Sequence, residues 1–233
     1  MNYLANLLTV LSLVSGFTSI IFSLEKQFTF ACWAIILSVI FDGLDGQIAR
    51  RNPIPNEFGK ELDSLVDVVS FGIAPSILGY IFIYRDFYIL ATLALFIYLF
   101  CSVMRLAKYN ITPKEKLANY FYGLPTTVSG GMLASFVLIF RNKHTGLILG
   151  YIPLIFLLVV LSLAFLMVSR VKYLNLDGLK EIFAKHVKAV VLLAVAIFLL
   201  AASFKKVGIT LFIFFLIYLV FSPLVVERLK NKL

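Results

Sequence analysis

Eight apolar stretches, each close to 20 residues long, follow one another along this chain with only short polar connections between them. They lie near residues 4–23, 28–48, 60–83, 87–107, 122–140, 147–169, 187–203 and 208–226. An α-helix needs about 20 apolar residues to cross the hydrocarbon core of a bilayer. Because 61% of the 233 residues are hydrophobic, we predict an all-α integral membrane protein, a polytopic helical bundle of about eight transmembrane helices. The stretches do not alternate in polarity, which disfavours a transmembrane β-barrel.

The lysine and arginine residues are distributed unevenly between the two ends of the predicted helices. An even number of spans places both termini on the same side of the membrane. All 21 basic residues lie on that side except Lys26, Arg85, Arg141, Lys143, Lys205 and Lys206. Because basic loops are retained in the cytoplasm, we predict a cytoplasmic-membrane protein with both termini in the cytoplasm. The net charge of +9 then faces anionic lipid headgroups, and its scatter over short loops indicates no nucleic acid partner.

Four carboxylates interrupt the apolar pattern around the connection between the second and third predicted helices. Asp42 and Asp45 lie about 60° apart on one helical face, because each residue turns an α-helix by about 100°. Asp63 and Asp67 are four residues apart and share a face of the next helix. A charged side chain near the bilayer centre costs about 2.5–3.5 kcal/mol or more, so such residues usually serve a function. Two antiparallel helices joined by a short proline-containing turn would bring the four carboxylates together.

The residue types around these carboxylates are those that hold metal ions and phosphates. Carboxylate oxygens suit Mg²⁺ or Mn²⁺, with Ca²⁺ as a non-productive occupant, and two such ions can bridge phosphate oxygens. Gly46, Ala49 and Gly59 leave the backbone accessible to a bulky ligand, and Arg50 offers a planar fork to phosphate. We therefore predict a site for a diphosphate substrate. The alternative is that the aspartates form structural salt bridges with Arg50, Arg51, Lys60 and Lys108.

These residues also form one continuous motif. The run D-x-x-D-G-x-x-A-R-x₈-G-x-x-x-D-x-x-x-D is present without a gap, at Asp42, Asp45, Gly46, Ala49, Arg50, Gly59, Asp63 and Asp67. It resembles the signature of the CDP-alcohol phosphatidyltransferases, and the resemblance extends over roughly residues 4–170. The resemblance implies a core of six transmembrane helices, a homodimer and two divalent cations at the cytoplasmic end of the second and third helices.

The resemblance further implies a role for each matched position. Asp42, Asp45, Asp63 and Asp67 would hold the metal ions, and Asp67 would also act as the general base. The CDP moiety would be contacted by Gly46, Ala49, Arg50 and Gly59, and by Asn6 and Thr9 of the opening motif Asn6-Leu7-Leu8-Thr9.

Three further segments, residues 63–75, 105–110 and 123–125, resemble the phosphatidylserine synthase branch of the family. This likeness implies transfer of the phosphatidyl group from CDP-diacylglycerol to L-serine. Arg105 is the candidate partner of the serine carboxylate, and Asn110 and Ser70 could add hydrogen bonds. Two alternatives stay open: the acceptor is another alcohol, such as glycerol 3-phosphate or an inositol phosphate, or Arg105 only extends toward the headgroups from its helix end.

The chain is expected to divide into a catalytic transmembrane domain, residues 1–186, and two additional C-terminal transmembrane helices within residues 187–233. Pro75 is expected to kink the third helix. A function of a different class is a cation-coupled transporter, because intramembrane acids often line ion pathways. The position of the aspartates near one membrane face favours the enzyme.

Overall fold

The computed structural model describes residues 2–50, 57–112, 120–141, 151–174 and 207–230. The helices in these residues are α1 (Asn2–Leu24), α2 (Phe28–Arg50), α3 (Glu57–Asp67), a π-helix (Val68–Ile73), α4 (Ala74–Ile111), α5 (Thr126–Phe140), α6 (Ile152–Val168) and α7 (Val207–Lys230). Two short strands, β1 (Tyr120–Tyr122) and β2 (Lys172–Leu174), pair antiparallel, with Phe121 opposite Tyr173. The span predicted at 187–203 and the turn at 51–56 lie outside the described residues.

Five helical stretches within the described residues are long and apolar enough to cross a membrane. They are Tyr3–Leu24, Phe28–Ala49, Glu57–Ile83, Tyr88–Ile111 and Val207–Glu227. Two shorter apolar helices, Thr126–Phe140 and Ile152–Val168, complete the bundle. The prediction of a helical integral membrane protein is confirmed.

The fifth span is shorter than the hydropathy predicted. The fifth begins at Thr126 instead of residue 122, because Tyr120–Tyr122 is a strand and Gly123 makes a turn with φ of 77°. A Cβ at Gly123 would lie 2.9 Å from the carbonyl carbon of Met167, so the turn is pressed against the end of α6. Pro125 then caps α5.

The chain reverses direction near residue 85, within the range assigned to α4. The Tyr98 hydroxyl donates to the Phe71 carbonyl oxygen at 2.9 Å, and a Cβ on Gly72 would lie 3.0 Å from Leu99 Cδ1. In one straight helix, residues 27 apart would be separated by about 40 Å. The two halves of α4 are therefore antiparallel limbs, as the separate third and fourth predicted spans require. The second limb is Tyr88–Ile111.

A π-helix, Val68–Ile73, ends two residues before Pro75, the residue expected to kink the chain. Pro75 has no N–H, so the Phe71 carbonyl four residues earlier lacks its α-helical donor. The Tyr98 hydroxyl supplies the missing hydrogen bond. The change of helical pitch begins at Val68, directly after Asp67. Short π-helical segments often mark functional sites, and this one sets the direction from which Asp67 enters the bundle.

The last described helix, α7, packs against α5 and β2. A Cβ on Gly131 of α5 would lie 2.7 Å from Phe215 Cε2, so the missing side chain admits this ring. The Tyr218 hydroxyl donates to the Leu174 carbonyl oxygen at 2.8 Å, and the Leu174 N–H donates to Ser222 Oγ at 2.6 Å. The helix is thus joined to the two-stranded sheet. The predicted domain boundary at residue 186 lies outside the described residues and stays a prediction.

Candidate metal centre

Three carboxylates converge where α2 and α3 meet. One oxygen from each of Asp42, Asp63 and Asp67 lies within 4.8 Å of the other two. Asp42 lies in the second half of α2, the half that the sequence predicts to face the cytoplasm. Asp63 and Asp67 lie one turn apart on α3. Like charges at this separation repel strongly unless a proton or a cation intervenes. A divalent ion would bind all three ligands.

Asp45 has a different environment from the other three aspartates. Its side chain is buried, and its Oδ2 accepts a hydrogen bond from Thr9 Oγ1 at 2.7 Å. The same threonine hydroxyl lies 3.0 Å from the Ala5 carbonyl oxygen. Thr9, predicted to approach the cytosine or ribose, therefore contacts a predicted metal ligand directly. Asp45 still contributes negative charge, since it acts electrostatically on both Asp42 and Asp67.

Asp67 is the most informative member of the cluster. Only 8% of its surface is exposed, and its Oδ2 receives one long hydrogen bond, 3.4 Å, from Thr126 Oγ1. Its buried Oδ1 has no hydrogen-bond partner among the residues that the structure describes. Buried carboxylate oxygens are almost always hydrogen-bonded, ion-paired or bound to metal. The cluster therefore fits a divalent cation, with Asp42, Asp63 and Asp67 as the oxygen ligands.

A buried arginine lies beside the acids. Arg105, on the second limb of α4, is 9% exposed and donates from Nη1 to Thr126 Oγ1 at 3.1 Å. Its charge acts on Asp67 and Asp42, and its guanidinium carbon is 5.9 Å from the centre of the Tyr109 ring. Because the side chain is buried, it does not extend to the headgroups. Its Nε is also without a hydrogen-bond partner within the described part of the chain.

Thr126 was missed by the sequence analysis. It is the first residue of α5, and its hydroxyl links the Arg105 guanidinium to the Asp67 carboxylate. The preceding Gly123-Leu124-Pro125 segment was noted only for its resemblance. The sequence feature that could have identified Thr126 is a hydroxyl residue at the start of a strongly apolar helix.

The other two candidate acceptor contacts are engaged with neighbouring helices. Asn110 Nδ2 donates to Ser64 Oγ at 2.9 Å, and the Asn110 carbonyl oxygen accepts from Lys60 Nζ at 3.0 Å. These bonds fasten the end of α4 to α3. Ser70 is fully buried and donates to the Ser12 carbonyl oxygen at 3.2 Å.

The backbone of each predicted CDP-contacting residue is described by the structure. Gly46 and Gly59 are partly buried, and Ala49 is exposed. A Cβ on Gly43, next to Asp42, would meet nothing within 4 Å, so there is free space beside the cluster. Asn6 lies on α1, three residues before Thr9. The backbone of Arg50 ends α2, and its side chain lies outside the described residues.

The fold and the site together define a class: a helical membrane protein that holds a buried carboxylate centre suited to a divalent cation. A model of the family described as CDP-alcohol phosphatidyltransferase matches residues 2–168. The chain therefore belongs to the CDP-alcohol phosphatidyltransferase family, and it is an enzyme of phospholipid biosynthesis.

Individual relatives extend the similarity over most of the chain. A CDP-diacylglycerol–serine O-phosphatidyltransferase of Helicobacter pylori is 33% identical over 175 residues, which cover 75% of this chain and 73% of the relative. An archaetidylserine synthase of Methanothermobacter thermautotrophicus is 34% identical over 178 residues, covering 76% and 71%. A CDP-diacylglycerol–serine O-phosphatidyltransferase of Methanocaldococcus jannaschii is 32% identical over 171 residues, covering 73% of each.

Proposed function

We propose that this enzyme transfers the phosphatidyl group of CDP-diacylglycerol to the hydroxyl of L-serine and releases CMP. The observation that carries the proposal is the convergence of Asp42, Asp63 and Asp67 beside the buried Arg105. The carboxylates suit a metal-bound diphosphate, and the guanidinium suits a carboxylated acceptor. The names of the relatives agree with both halves of the reaction.

The four aspartates would share the metal-binding role. Asp42, Asp63 and Asp67 would hold Mg²⁺ or Mn²⁺ directly, and Asp45, oriented by Thr9, would complete the set for a second ion. Bound divalent ions would neutralise the diphosphate and the charge that develops on the leaving CMP. The chain's own contribution is to keep these carboxylates fixed before the substrate arrives, so that little reorganisation is needed during the reaction.

Asp67 would also accept the proton of the acceptor. The serine oxygen attacks the phosphorus that bears the diacylglycerol, a new P–O bond forms, and the P–O bond to CMP breaks. The hydroxyl proton passes to Asp67 as the attack proceeds, which is the assistance that a weak base can give to an alcohol. A carboxylate has two oxygens, so Asp67 would use one as the metal ligand and the other to accept that proton.

The remaining contacts to the CDP-lipid are assigned by the family motif. Gly46, Ala49 and Gly59 would let the diphosphate approach the helix backbones, and Arg50 would bind phosphate oxygens. Asn6 would approach the nucleoside from α1. The free space beside Gly43 supports entry of a bulky headgroup on this side of α2.

Arg105 is the proposed partner of the serine carboxylate. It is a buried cation next to Asp67, and its Nε is not hydrogen-bonded within the described residues. Asn110 and Ser70 are engaged in helix contacts, so the acceptor role rests mainly on Arg105.

The cellular arrangement follows from the charge distribution. We place the enzyme in the cytoplasmic membrane, with the active site and both termini facing the cytoplasm, where serine is available. The family resemblance further suggests a homodimer. CDP-diacylglycerol would reach the site from the inner leaflet with its acyl chains in the lipid.

The acceptor is identified by measuring CMP release from CDP-diacylglycerol with one alcohol at a time. With Mg²⁺ present, L-serine should support CMP release and yield phosphatidylserine, detected by mass spectrometry. Release with glycerol 3-phosphate or an inositol phosphate, and none with serine, would assign the enzyme to another branch of the family. Solute uptake into vesicles with no CMP formed would favour a transporter.

Replacing Arg105 should act mainly on the acceptor. Arg105→Gln is expected to raise the KM for serine by about 10- to 100-fold, because a hydrogen bond to a charged group contributes roughly 1.5–3 kcal/mol. The KM for CDP-diacylglycerol should change little. Arg105→Lys keeps the charge but not the planar fork. Its KM for serine should lie between those of the wild type and Arg105→Gln. Unchanged serine KM in Arg105→Gln would remove this residue from the acceptor site.

A further inference from the structure

Three serine hydroxyls join α1, α2 and the π-helix deep inside the bundle. Ser12, Ser38 and Ser70, hereafter the serine cluster, are each at most 1% exposed. Ser12 Oγ and Ser38 Oγ are 2.6 Å apart. The Ser12 carbonyl oxygen accepts from Ser38 Oγ at 3.1 Å and from Ser70 Oγ at 3.2 Å. One residue of α1 thus connects two other helical segments.

The two connected segments are those that carry the metal-binding carboxylates. Ser38 precedes Asp42 by four residues, one turn of α2, and Ser70 follows Asp67 by three residues. One α-helical turn rises about 5.4 Å. The serine cluster therefore links α2 to the π-helix. This link lies about one helical turn away from the point where Asp42 and Asp67 approach each other.

Close backbone packing reinforces the same point of contact. A Cβ on Gly16 of α1 would lie 2.8 Å from Ser70 Cα, so α1 and the π-helix meet almost backbone to backbone. Small residues permit such approaches between membrane helices, and hydroxyls bond across them. The change to π-helical pitch after Asp67 makes the position of Ser70 important. Ser70 is the first residue after Asp67 whose side chain is buried and hydrogen-bonded to another helix.

We propose that the serine cluster is a positioning device for the metal centre, setting the separation of Asp42 and Asp67 and through it the affinity for divalent cations. The inference rests on the proposed metal-binding role of these aspartates. Metal sites need their ligands held to within about 0.5 Å, and groups that orient the ligands typically change metal affinity by about 10- to 100-fold when removed. The hydroxyls of the cluster bond to one another and to the Ser12 carbonyl oxygen, so we assign its members as positioning residues.

The test is Mn²⁺ binding to the purified full-length protein in detergent, measured by electron paramagnetic resonance without substrate. Ser38→Ala removes two of the contacts, and Ser12→Ala removes only a hydroxyl and leaves the carbonyl acceptor in place. Both should weaken Mn²⁺ binding, Ser38→Ala by about tenfold or more. Gly16→Ala retains all three hydroxyls but pushes Ser70 away, and should weaken Mn²⁺ binding as well.

Ser135→Ala is the matched control. Ser135 is equally buried, but within the described part of the chain its hydroxyl donates only to the Gly131 carbonyl oxygen of its own helix, at 2.7 Å. It should bind Mn²⁺ like the wild type. Wild-type Mn²⁺ affinity in folded Ser12→Ala and Ser38→Ala proteins would overturn the inference. Unfolding of both would overturn it too, because the cluster would then serve stability alone. Absence of Mn²⁺ binding in the wild type would instead contradict the metal centre itself.

Discussion

Asp67→Asn is expected to lower kcat by about 10²- to 10⁴-fold while CDP-diacylglycerol still binds. The amide has nearly the same shape as the carboxylate but cannot accept the proton of the attacking hydroxyl, and general-base catalysis contributes factors of this size. The loss of one anionic metal ligand is expected to lower kcat as well. Asp67 is buried at the point where α3 passes into the π-helix.

The measurement is single-turnover CMP release, with CDP-diacylglycerol affinity determined separately by equilibrium binding. Glu57→Gln provides a control, since Glu57 is an exposed acid in the first turn of the same helix. It should leave both quantities at wild-type values. Turnover close to normal in Asp67→Asn would withdraw the assignment of Asp67 as the base.

Removal of divalent cations is expected to abolish turnover completely. Without a cation, Asp42, Asp63 and Asp67 would hold negative charges within 4.8 Å of one another and would repel the substrate diphosphate. After chelation and dialysis, with metal content verified by mass spectrometry, CMP release should fall to background. Mg²⁺ or Mn²⁺ should restore it. Ca²⁺ should bind without restoring it, because its larger and more flexible coordination shell holds oxygen ligands less tightly in place. Full turnover by metal-free protein would contradict the account.

The sequence contained enough information to predict the class of fold and the convergence of three of the four aspartates. Hydropathy located the helices, because length and apolar composition are what a bilayer requires. Helical periodicity placed Asp63 and Asp67 on one face, and a short connection to α2 left few ways to arrange them other than opposite Asp42. These are local properties, and local reasoning was sufficient for them.

Features that depend on contacts between distant segments could not be predicted in the same way. The helical wheel grouped Asp45 with Asp42, but it did not predict that Thr9 of α1 donates to Asp45 while the three converging oxygens come from Asp42, Asp63 and Asp67. The π-helix before Pro75 and the hydrogen bond that Tyr98, 27 residues away, donates to Phe71 were not predicted. The burial of Arg105 depends on Thr126 of another helix.

The contacts of the C-terminal helix were also not predicted from the sequence. This helix lies beyond residues 2–168, which the family model matches, and hydropathy alone indicated no role for it. Its Tyr218 and Ser222 nevertheless hold the backbone of Leu174. Leu174 lies in β2, which pairs with β1, the strand that precedes the turn into Thr126. The position of this helix follows from side-chain contacts that neither composition nor the motif encodes.

The most direct test of the account is anomalous diffraction at the manganese edge from crystals grown with Mn²⁺. The account predicts anomalous density enclosed by Asp42, Asp63 and Asp67, where one oxygen of each already lies within 4.8 Å of the others. A second peak beside Asp45 would complete the proposed pair of ions. Absence of density between these carboxylates, under conditions in which Mn²⁺ supports CMP release, would contradict the central claim.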